Sequence, residues 1–174
     1  MAKEESLHEI PAGWSFEDAS GLGATAPVSY GALVERGGLK AGQTVLVHAG
    51  AGGLGVMAVQ IAKAVGARVI ATVGSLEKMG VARRAGADAV VDYSVDGWEK
   101  VVVEASGGEG VDLAFDSVGL VGKSVRCLKY GGRVLVVGFA GSEGGVEKIA
   151  VNRILLRQAQ VIGYVSGYLG TKVL

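Results

Sequence analysis

The sequence predicts an α/β protein in which helices cover both faces of a doubly wound, mostly parallel, six-stranded sheet. Short apolar runs rich in Val and Ile alternate with stretches of helical periodicity, and strands buried on both faces read as continuous apolar runs. Thirty glycines among 174 residues separate these runs singly or in pairs, which indicates many tight turns between buried elements. The predicted strands are Thr44–His48, Arg68–Thr72, Ala89–Val91, Val111–Phe115, Arg133–Val137 and Gln160–Val165.

Short helices are predicted ahead of the first strand. Ser15 and Asp18 have the spacing of a capping box, in which two side chains satisfy backbone N–H groups at a helix start. The pair Gly37-Gly38 favours a helix end. We expect residues 1–39 to form a helical lead-in and residues 40–174 to form one α/β domain.

Two helices are predicted from apolar periodicity between strands. Apolar residues within Leu54–Val65 follow the i, i+3, i+4, i+7 spacing, so that one face packs on the sheet, and Gly66 ends the helix. A later helix that carries Val121, Val125 and Leu128 is predicted to end at Gly131-Gly132.

A third helix is predicted from a capping pattern. Asp96 and Glu99 have the spacing of an acidic capping box, and Gly107-Gly108 provides the helix end. Six strands with crossovers of these lengths indicate two βαβαβ halves. The strand order expected for such a sheet is 3-2-1-4-5-6.

The charge balance excludes several classes of partner. Lys+Arg and Asp+Glu number 17 each, so the sequence has neither the basic excess that binds nucleic acid nor a polybasic membrane patch. No apolar run approaches the length of a membrane span, and the charged N-terminus lacks an apolar signal core. We therefore expect a cytosolic protein. The single cysteine, Cys127, excludes an intramolecular disulfide and a cysteine-rich zinc site.

A complete G-x-G-x-x-G pattern, Gly50-Ala51-Gly52-Gly53-Leu54-Gly55, lies between the first strand and its helix. The first glycine permits a tight turn, the second lets the backbone approach a pyrophosphate, and the third allows close packing of helix and strand. Backbone N–H groups at the helix N-terminus then bind the anion. The pattern alone is also compatible with an ordinary turn, but its position inside a βαβ unit predicts a Rossmann dinucleotide-binding site.

The end of the second strand bears on which dinucleotide is bound. An NAD-binding fold usually places Asp or Glu about 20 residues beyond the fingerprint, where it bonds the ribose 2′-OH. The segment Ala71–Ser75 has no carboxylate to repel a 2′-phosphate, so NADPH is the predicted cofactor. Lys78 falls in the first turn of the next helix, where a cation opposes the helix dipole and an anion beside it would remove the conflict. The alternative for Lys78 is a solvated surface lysine.

Two other segments face the carboxyl edge of the sheet, where open α/β sheets bind ligands. Asp116–Gly119 follows the fourth strand and Gly138–Gly141 follows the fifth. These segments could contact a cofactor, or they could be plain turns, since Asp, Ser and Gly are common turn residues. The sequence leaves the two interpretations open. His48, beside the glycine loop, is expected to be a hydrogen-bonded structural histidine. Cys127 is expected to act as a small buried hydrophobe.

Together these residues resemble the zinc-free quinone oxidoreductase and zeta-crystallin branch of the medium-chain dehydrogenase/reductase superfamily. The resemblance extends from about Ile10 to Tyr168. A threonine often found near the nicotinamide in that branch is replaced by Val28 here. The segments that carry the resemblance are Gly38–His48 with the glycine loop, Lys63–Ala67, Gly86–Asp88, Asp112–Gly119 and Tyr130–Val134.

The resemblance implies an NADPH-dependent, zinc-independent reductase of quinones or related enones that forms dimers edge to edge through its last strand. It leaves the catalytic residues unknown, and the GroES-like catalytic domain of the family is expected to be absent. The positions that match the family's diphosphate contacts are Gly53 and Leu54. Those that match its 2′-phosphate contacts are Gly74, Ser75, Lys78 and Tyr93. Those on the nicotinamide side are Val118, Phe139, Ala140 and Gly141.

Three functions remain open at this point. The leading one is an NADPH:quinone oxidoreductase or its isolated cofactor-binding domain, in which the cofactor supplies the chemistry and the protein orients it. An enoyl reductase of the same superfamily would use the same fold and cofactor on a thioester-activated alkene. A catalytically silent NADPH-binding protein would bind the cofactor without oxidising it.

Overall fold

The computed structural model describes residues 9–141 and 147–166. Its strands are β1 Thr44–Val47, β2 Arg68–Val73, β3 Ala89–Asp92, β4 Val111–Asp116, β5 Leu128–Val136 and β6 Gln160–Gly163. All adjacent strands are parallel, and their order across the sheet is β3-β2-β1-β4-β5-β6. The predicted doubly wound order is therefore confirmed, with β6 at one edge.

Helices connect the strands and precede the first one. They are α1 Phe16–Gly23, α2 Thr25–Tyr30, α3 Gly53–Val65, α4 Leu76–Arg84, α5 Trp98–Ala105, α6 Val121–Cys127 and α7 Val151–Arg157, and a π-helical segment, Gly31–Arg36, continues α2. The capping box of Ser15 and Asp18 is present at the start of α1. Gly66 ends α3 with a φ of 89°, a left-handed conformation that glycine adopts without steric cost.

Successive residues of the central strands point to opposite faces of the sheet. Val45 and Val47 belong to the core formed with α3 and α4, whereas Leu46, between them, packs with α5 and α6. The same alternation separates Val69 from Ile70 on β2. Because each fully buried Val, Leu or Ile contributes roughly 1.5–3 kcal/mol, the two cores hold helices on both faces, as predicted.

The predicted acidic capping box of the third crossover is wrong. Helix α5 begins at Trp98, its N-cap residue is Gly97, and no side chain makes a cap hydrogen bond. Gly97 has a φ of 81°, so the chain enters the helix through a left-handed turn instead of the extended backbone that a capping side chain requires. That turn places Trp98 in the core, where it is 2% exposed.

The predicted extension of the fourth helix to Gly131-Gly132 is also wrong. Helix α6 ends at Cys127, and β5 begins at the next residue, well before the predicted strand start at Arg133. The cause is long-range, since Leu128 pairs with Val111 on β4 before the register shifts. The other strand ends differ from the predicted ones by one or two residues.

The π-helical segment before β1 and the residue after β6 are in direct contact. The hydroxyl of Tyr164, just beyond β6, lies against Gly31 and occupies the space that a Cβ at Gly31 would need. Tyr164 also donates its backbone N–H to the carbonyl oxygen of Val136 at 3.0 Å. Within the described residues, no helix is long and apolar enough to cross a membrane.

Candidate cofactor-binding site

The glycine loop is a tight turn between β1 and α3. Ala49 has a φ of 50°, and Gly52 donates its N–H to the Ala49 carbonyl oxygen at 2.8 Å. Gly50 donates to the carbonyl oxygen of Thr72 at 2.8 Å, which attaches the turn to β2. Gly52 is the N-cap residue of α3, so the loop leads directly into the helix.

The glycines of the fingerprint have different structural roles. A Cβ on Gly50 would lie 2.7 Å from the Cβ of Ala71, and one on Gly55 would overlap the backbone of Ala49, so both positions require glycine for packing. A Cβ on Gly52 would lie 3.3 Å from the nearest atom, and one on Gly53 would lie 3.4 Å away. Since these two residues are exposed, their missing side chains leave the outer surface of the loop open to a ligand.

The start of α3 offers backbone donors at this open surface. The first N–H groups of a helix, here those of Gly53, Leu54 and Gly55, have no partner within the helix. The helix dipole adds a partial positive charge there. The open glycine surface and these donors together fit a diphosphate group.

The carboxyl ends of β2 and β3 bring four predicted site residues into one region. The hydroxyl oxygen of Tyr93 lies 3.0 Å from the position of a Cβ on Gly74, and Tyr93 donates its N–H to the Val73 carbonyl oxygen at 2.9 Å. Ser75 is the N-cap residue of α4, but its side chain makes no cap hydrogen bond. Lys78 is exposed in the first turn of α4.

The loops after β4 and β5 are held against one another. Gly141 donates its N–H to the carbonyl oxygen of Val118 at 2.8 Å, and Ala140 donates to that of Ser117 at 3.2 Å. A Cβ on Gly141 would lie 2.5 Å from a methyl carbon of Val118, so glycine is required for this approach. Val118 is buried, whereas the side chain of Phe139 is 77% exposed.

The conformation of the loop after β4 is partly fixed by hydrogen bonds to the side chain of Asp116. The carboxylate of Asp116 accepts hydrogen bonds from the N–H groups of Val118, Gly119 and Leu120 at 2.9, 2.8 and 2.7 Å. Asp116 is fully buried. Its side chain therefore shapes the loop and is already engaged, while the loop itself remains at the ligand-binding edge of the sheet.

His48 is the hydrogen-bonded structural histidine that the sequence predicts. It is fully buried, with Nδ1 2.8 Å from the Thr72 hydroxyl and Nε2 2.9 Å from the Ser124 hydroxyl. The ring meets that of Trp98 edge-on, with centroids 5.4 Å apart. Burial lowers the pKa of His48 to about 4, although the charge of Asp116 acts in the opposite direction. The imidazole is therefore neutral near pH 7.

Two contacts of the site region are not part of any sequence motif. The hydroxyl of Ser29, in α2, donates to the carbonyl oxygen of Leu54 at 3.2 Å and so connects the N-terminal helices to the glycine loop. The carboxylate of Glu147 accepts the N–H groups of Val121 and Gly122 at 2.9 and 2.7 Å. Ser29 lies next to Val28 in sequence, but no local pattern reveals that its partner is Leu54.

The family described as "Zinc-binding dehydrogenase" matches residues 53–172. "Quinone oxidoreductase-like protein 2" of Bos taurus is 36% identical over 170 residues, which are 94% of this chain and 47% of the relative. The quinone oxidoreductase of Thermus thermophilus, solved also in complex with NADPH, is 32% identical with a TM-score of 0.80, over 92% of this chain and 50% of that one. An NAD-dependent alcohol dehydrogenase is 34% identical with a TM-score of 0.82, over 88% and 45%. The chain thus spans about half the length of these proteins.

The zinc in the family description has no counterpart in the described part of the chain. Among residues 9–141 and 147–166, no group of three or more His, Cys, Asp and Glu side chains has an arrangement that could hold a metal ion. Cys127 is buried, and burial raises the pKa of its thiol to about 12, in keeping with the small buried hydrophobe that the sequence predicts. The described residues do not fit a zinc site.

Proposed function

The chain belongs to the quinone oxidoreductase branch of the medium-chain dehydrogenase/reductase superfamily, and from that premise we propose that it binds NADPH for the reduction of quinones or related enones. The segment corresponds to the cofactor-binding part of that branch. Its contribution to the reaction is to hold the dinucleotide in a fixed orientation. We further propose that it works without zinc.

The choice of NADPH rests on the end of β2. Similarity to solved structures does not distinguish NADPH from NADH, because the similar structures include a complex with NADPH and an enzyme called NAD-dependent. Gly74 and Ser75 stand where an NAD-binding fold carries a carboxylate, and exposed Lys78 follows in the next turn. The acidic residue beside this segment is Asp92, at the end of β3, which pairs with Val73 of β2. Its carboxylate accepts hydrogen bonds from the N–H and the hydroxyl of Ser94 at 2.9 and 2.7 Å. Ser94 therefore already engages this neighbouring acidic group.

Each part of the dinucleotide has a proposed set of partners. The N–H groups of Gly53 and Leu54 bind the diphosphate at the α3 N-terminus. Hydrogen bonds from a cationic side chain to a phosphate are stronger than neutral ones, so Lys78 provides most of the selectivity for the 2′-phosphate, assisted by Gly74, Ser75 and Tyr93. The nicotinamide end lies against Val118 and the segment Phe139–Gly141.

When bound, NADPH supplies the hydride, and the acceptor is an electron-poor quinone or enone. The loops after β4 and β5 orient one face of the nicotinamide ring. Hydride transfer also needs an acceptor held against the other face and shielded from water, a contribution that can supply several kcal/mol of the barrier reduction. We propose that groups outside this chain supply that wall, and that this chain by itself turns over slowly.

We also propose that β6 forms the contact between two copies of the chain. It is an edge strand of apolar sequence, Gln160-Val161-Ile162-Gly163, without proline or charge to prevent pairing. A two-fold partner at this edge would continue the sheet across both copies. The cytosolic location expected from the sequence remains a prediction.

The experiment measures binding and turnover separately on this chain. Fluorescence titration should give tighter binding for NADPH than for NADH, and no NADPH binding would contradict the proposal. Oxidation of NADPH should be slower than about 1 per second with a benzoquinone, yet faster than with an enoyl thioester. A faster enoyl thioester would indicate an enoyl reductase, and binding without any oxidation would indicate a silent NADPH-binding protein.

A further inference from the structure

We propose that His48 is a positioning residue that fixes the separation between the adenosine and nicotinamide walls of the cofactor site. The inference rests on the proposed function, because it concerns NADPH bound across both walls. The adenosine wall is the end of β2 with Gly74, Ser75 and Lys78. The nicotinamide wall is the loop around Val118.

The hydrogen bonds of His48 have one consistent direction. The hydroxyl of Ser124 donates to the carbonyl oxygen of Leu120 at 3.0 Å. Since a hydroxyl has a single hydrogen, Ser124 must accept at its 2.9 Å contact with the imidazole, which makes Nε2 the protonated ring nitrogen. In the neutral ring Nδ1 is then an acceptor, and it receives the hydroxyl hydrogen of Thr72 at 2.8 Å.

A directed chain of hydrogen bonds therefore runs from Thr72 through His48 and Ser124 to Leu120. Each member can make its bonds only in this direction while the ring is neutral. All three side chains are fully buried, so bulk water cannot replace a lost partner. Networks of this kind, when every member is satisfied, hold their elements in a single arrangement.

Both ends of the chain are attached to proposed cofactor contacts. Thr72 is two residues before Gly74, and its carbonyl oxygen accepts the N–H of Gly50 in the glycine loop at 2.8 Å. At the other end, the N–H of Leu120 donates to the Asp116 carboxylate at 2.7 Å, and the same carboxylate accepts the N–H of Val118 at 2.9 Å. The imidazole thus connects the two walls across β1.

Packing keeps the imidazole from shifting to relieve strain. The edge-on contact with Trp98, at an interplanar angle of 87°, lies on the side of the ring that faces α5. Trp98 is itself held in the core beneath β1. A change at either ring nitrogen should therefore move the walls relative to each other more than it moves the ring.

The test compares a ligand that spans both walls with one that reaches the adenosine wall and glycine loop alone. NADPH is the spanning ligand, and adenosine 2′,5′-bisphosphate is the shorter one. Thr72→Val removes the donor to Nδ1 with almost no change in volume. We expect it to weaken NADPH binding about fivefold and bisphosphate binding less than about twofold, from the usual value of one hydrogen bond. Thr72→Ser keeps the hydroxyl and should restore the NADPH affinity.

A double-mutant cycle provides the second measurement. Thr72→Val and Ser124→Ala break the same chain at opposite nitrogens, so the double variant should bind NADPH about as weakly as either single variant. If Thr72→Val does not fold, as judged by circular dichroism, Ser124→Ala set against Ser124→Thr gives the same ligand comparison. Equal losses for the two ligands, or additive losses in the cycle, would overturn the role of His48. Failure of the unmodified chain to bind either ligand would instead overturn the proposed function.

Discussion

The hydroxyl oxygen of Tyr93 lies 3.0 Å from the position that a Cβ on Gly74 would occupy, so the ends of β2 and β3 meet through one glycine and one tyrosine. This approach places a phenol beside the segment that we propose to face the 2′-phosphate. A side chain at residue 74 would have to displace this phenol, although the backbone there is not in the left-handed region.

Replacement of Lys78 by alanine should weaken NADPH binding by about 1.5–3 kcal/mol, the value of one charge-assisted hydrogen bond. NADH binding should hardly change, because NADH lacks the 2′-phosphate. Calorimetric titration of both cofactors measures the difference, with Lys100→Ala on α5, at the other face of the sheet, as the control. Equal losses for NADPH and NADH would show that Lys78 does not contact the 2′-phosphate.

Alanine at Gly52 and at Gly55 should have opposite effects. Gly52→Ala should lower the free energy of unfolding by less than about 1 kcal/mol, because its φ of −85° suits any residue and its Cβ, 3.3 Å from the Ala49 carbonyl oxygen, needs only a small local shift. It should nevertheless weaken NADPH binding about tenfold, since the methyl group would meet the diphosphate. Gly55→Ala should destabilise the fold by about 1–3 kcal/mol, because its Cβ would overlap Ala49.

Urea unfolding and NADPH titration of the two variants test this pair of effects. The two positions lie in the same loop and receive the same methyl group, so each variant serves as the control for the other. Unimpaired NADPH binding by a folded Gly52→Ala protein would mean that the diphosphate does not approach the glycine loop.

Stability should fall on acidification between pH 6.5 and about 4 because of His48. In this window the unfolded state takes up a proton at the histidine while the buried neutral ring of the folded state does not, so unfolding is favoured as pH falls. The full effect is about 3 kcal/mol. As the pH rises above 6.5 the histidine of the unfolded state also loses its proton, and the effect fades within about one pH unit.

The pH effect can be isolated by comparison with His48→Gln, which has no titratable group at this position. Urea unfolding at several pH values should give a steeper fall for the unmodified chain than for the variant within the window. Hydrogen bonds from Ser94 lower the pKa of Asp92, and those from Ser15 lower the pKa of Asp18. These carboxylates lose their stabilising effect only below about pH 4, so they do not obscure the histidine. Parallel curves for the two proteins would contradict the assignment.

Val161→Lys should convert a dimer into a monomer if β6 is the contact between copies. Val161 is 38% exposed on the edge strand, so a lysine there opposes pairing at little cost to the fold. Ile162 is less suitable because it packs against the core. Light scattering measures the mass of the particle in solution. The control is Val151→Lys on α7, which makes the same change at a residue that is 72% exposed and lies away from the sheet edge. A monomeric unmodified protein at high concentration would exclude the proposed contact.

The sequence predicts the parts of this molecule that depend on neighbouring residues. The strand order follows from apolar runs and crossover lengths, and the glycine loop follows from one motif between a strand and a helix. The start of β5 at Leu128 depends on pairing with Val111 in another strand. The entry to α5 depends on the left-handed backbone of Gly97 and the burial of Trp98.

The candidate site likewise combines features set by neighbouring residues with features set by contacts between distant residues. The sequence indicates a structural role for His48, but its partners, Thr72 and Ser124, are distant in sequence and are brought to it by the fold. The contact of Ser29 with Leu54 has the same origin. A short polar side chain has many possible partners, and only the three-dimensional arrangement determines which of them it bonds.

The contact between Tyr164 and Gly31 has a consequence for synthesis of the chain on the ribosome. The helices before β1 are synthesised before the six strands, yet one wall of their packing is completed by Tyr164, the residue that follows β6. Contacts between residues so far apart in sequence form late and slow the folding of a parallel sheet. The nascent domain should therefore remain open, with the surface around Gly31 available to chaperones, until β6 and Tyr164 have emerged.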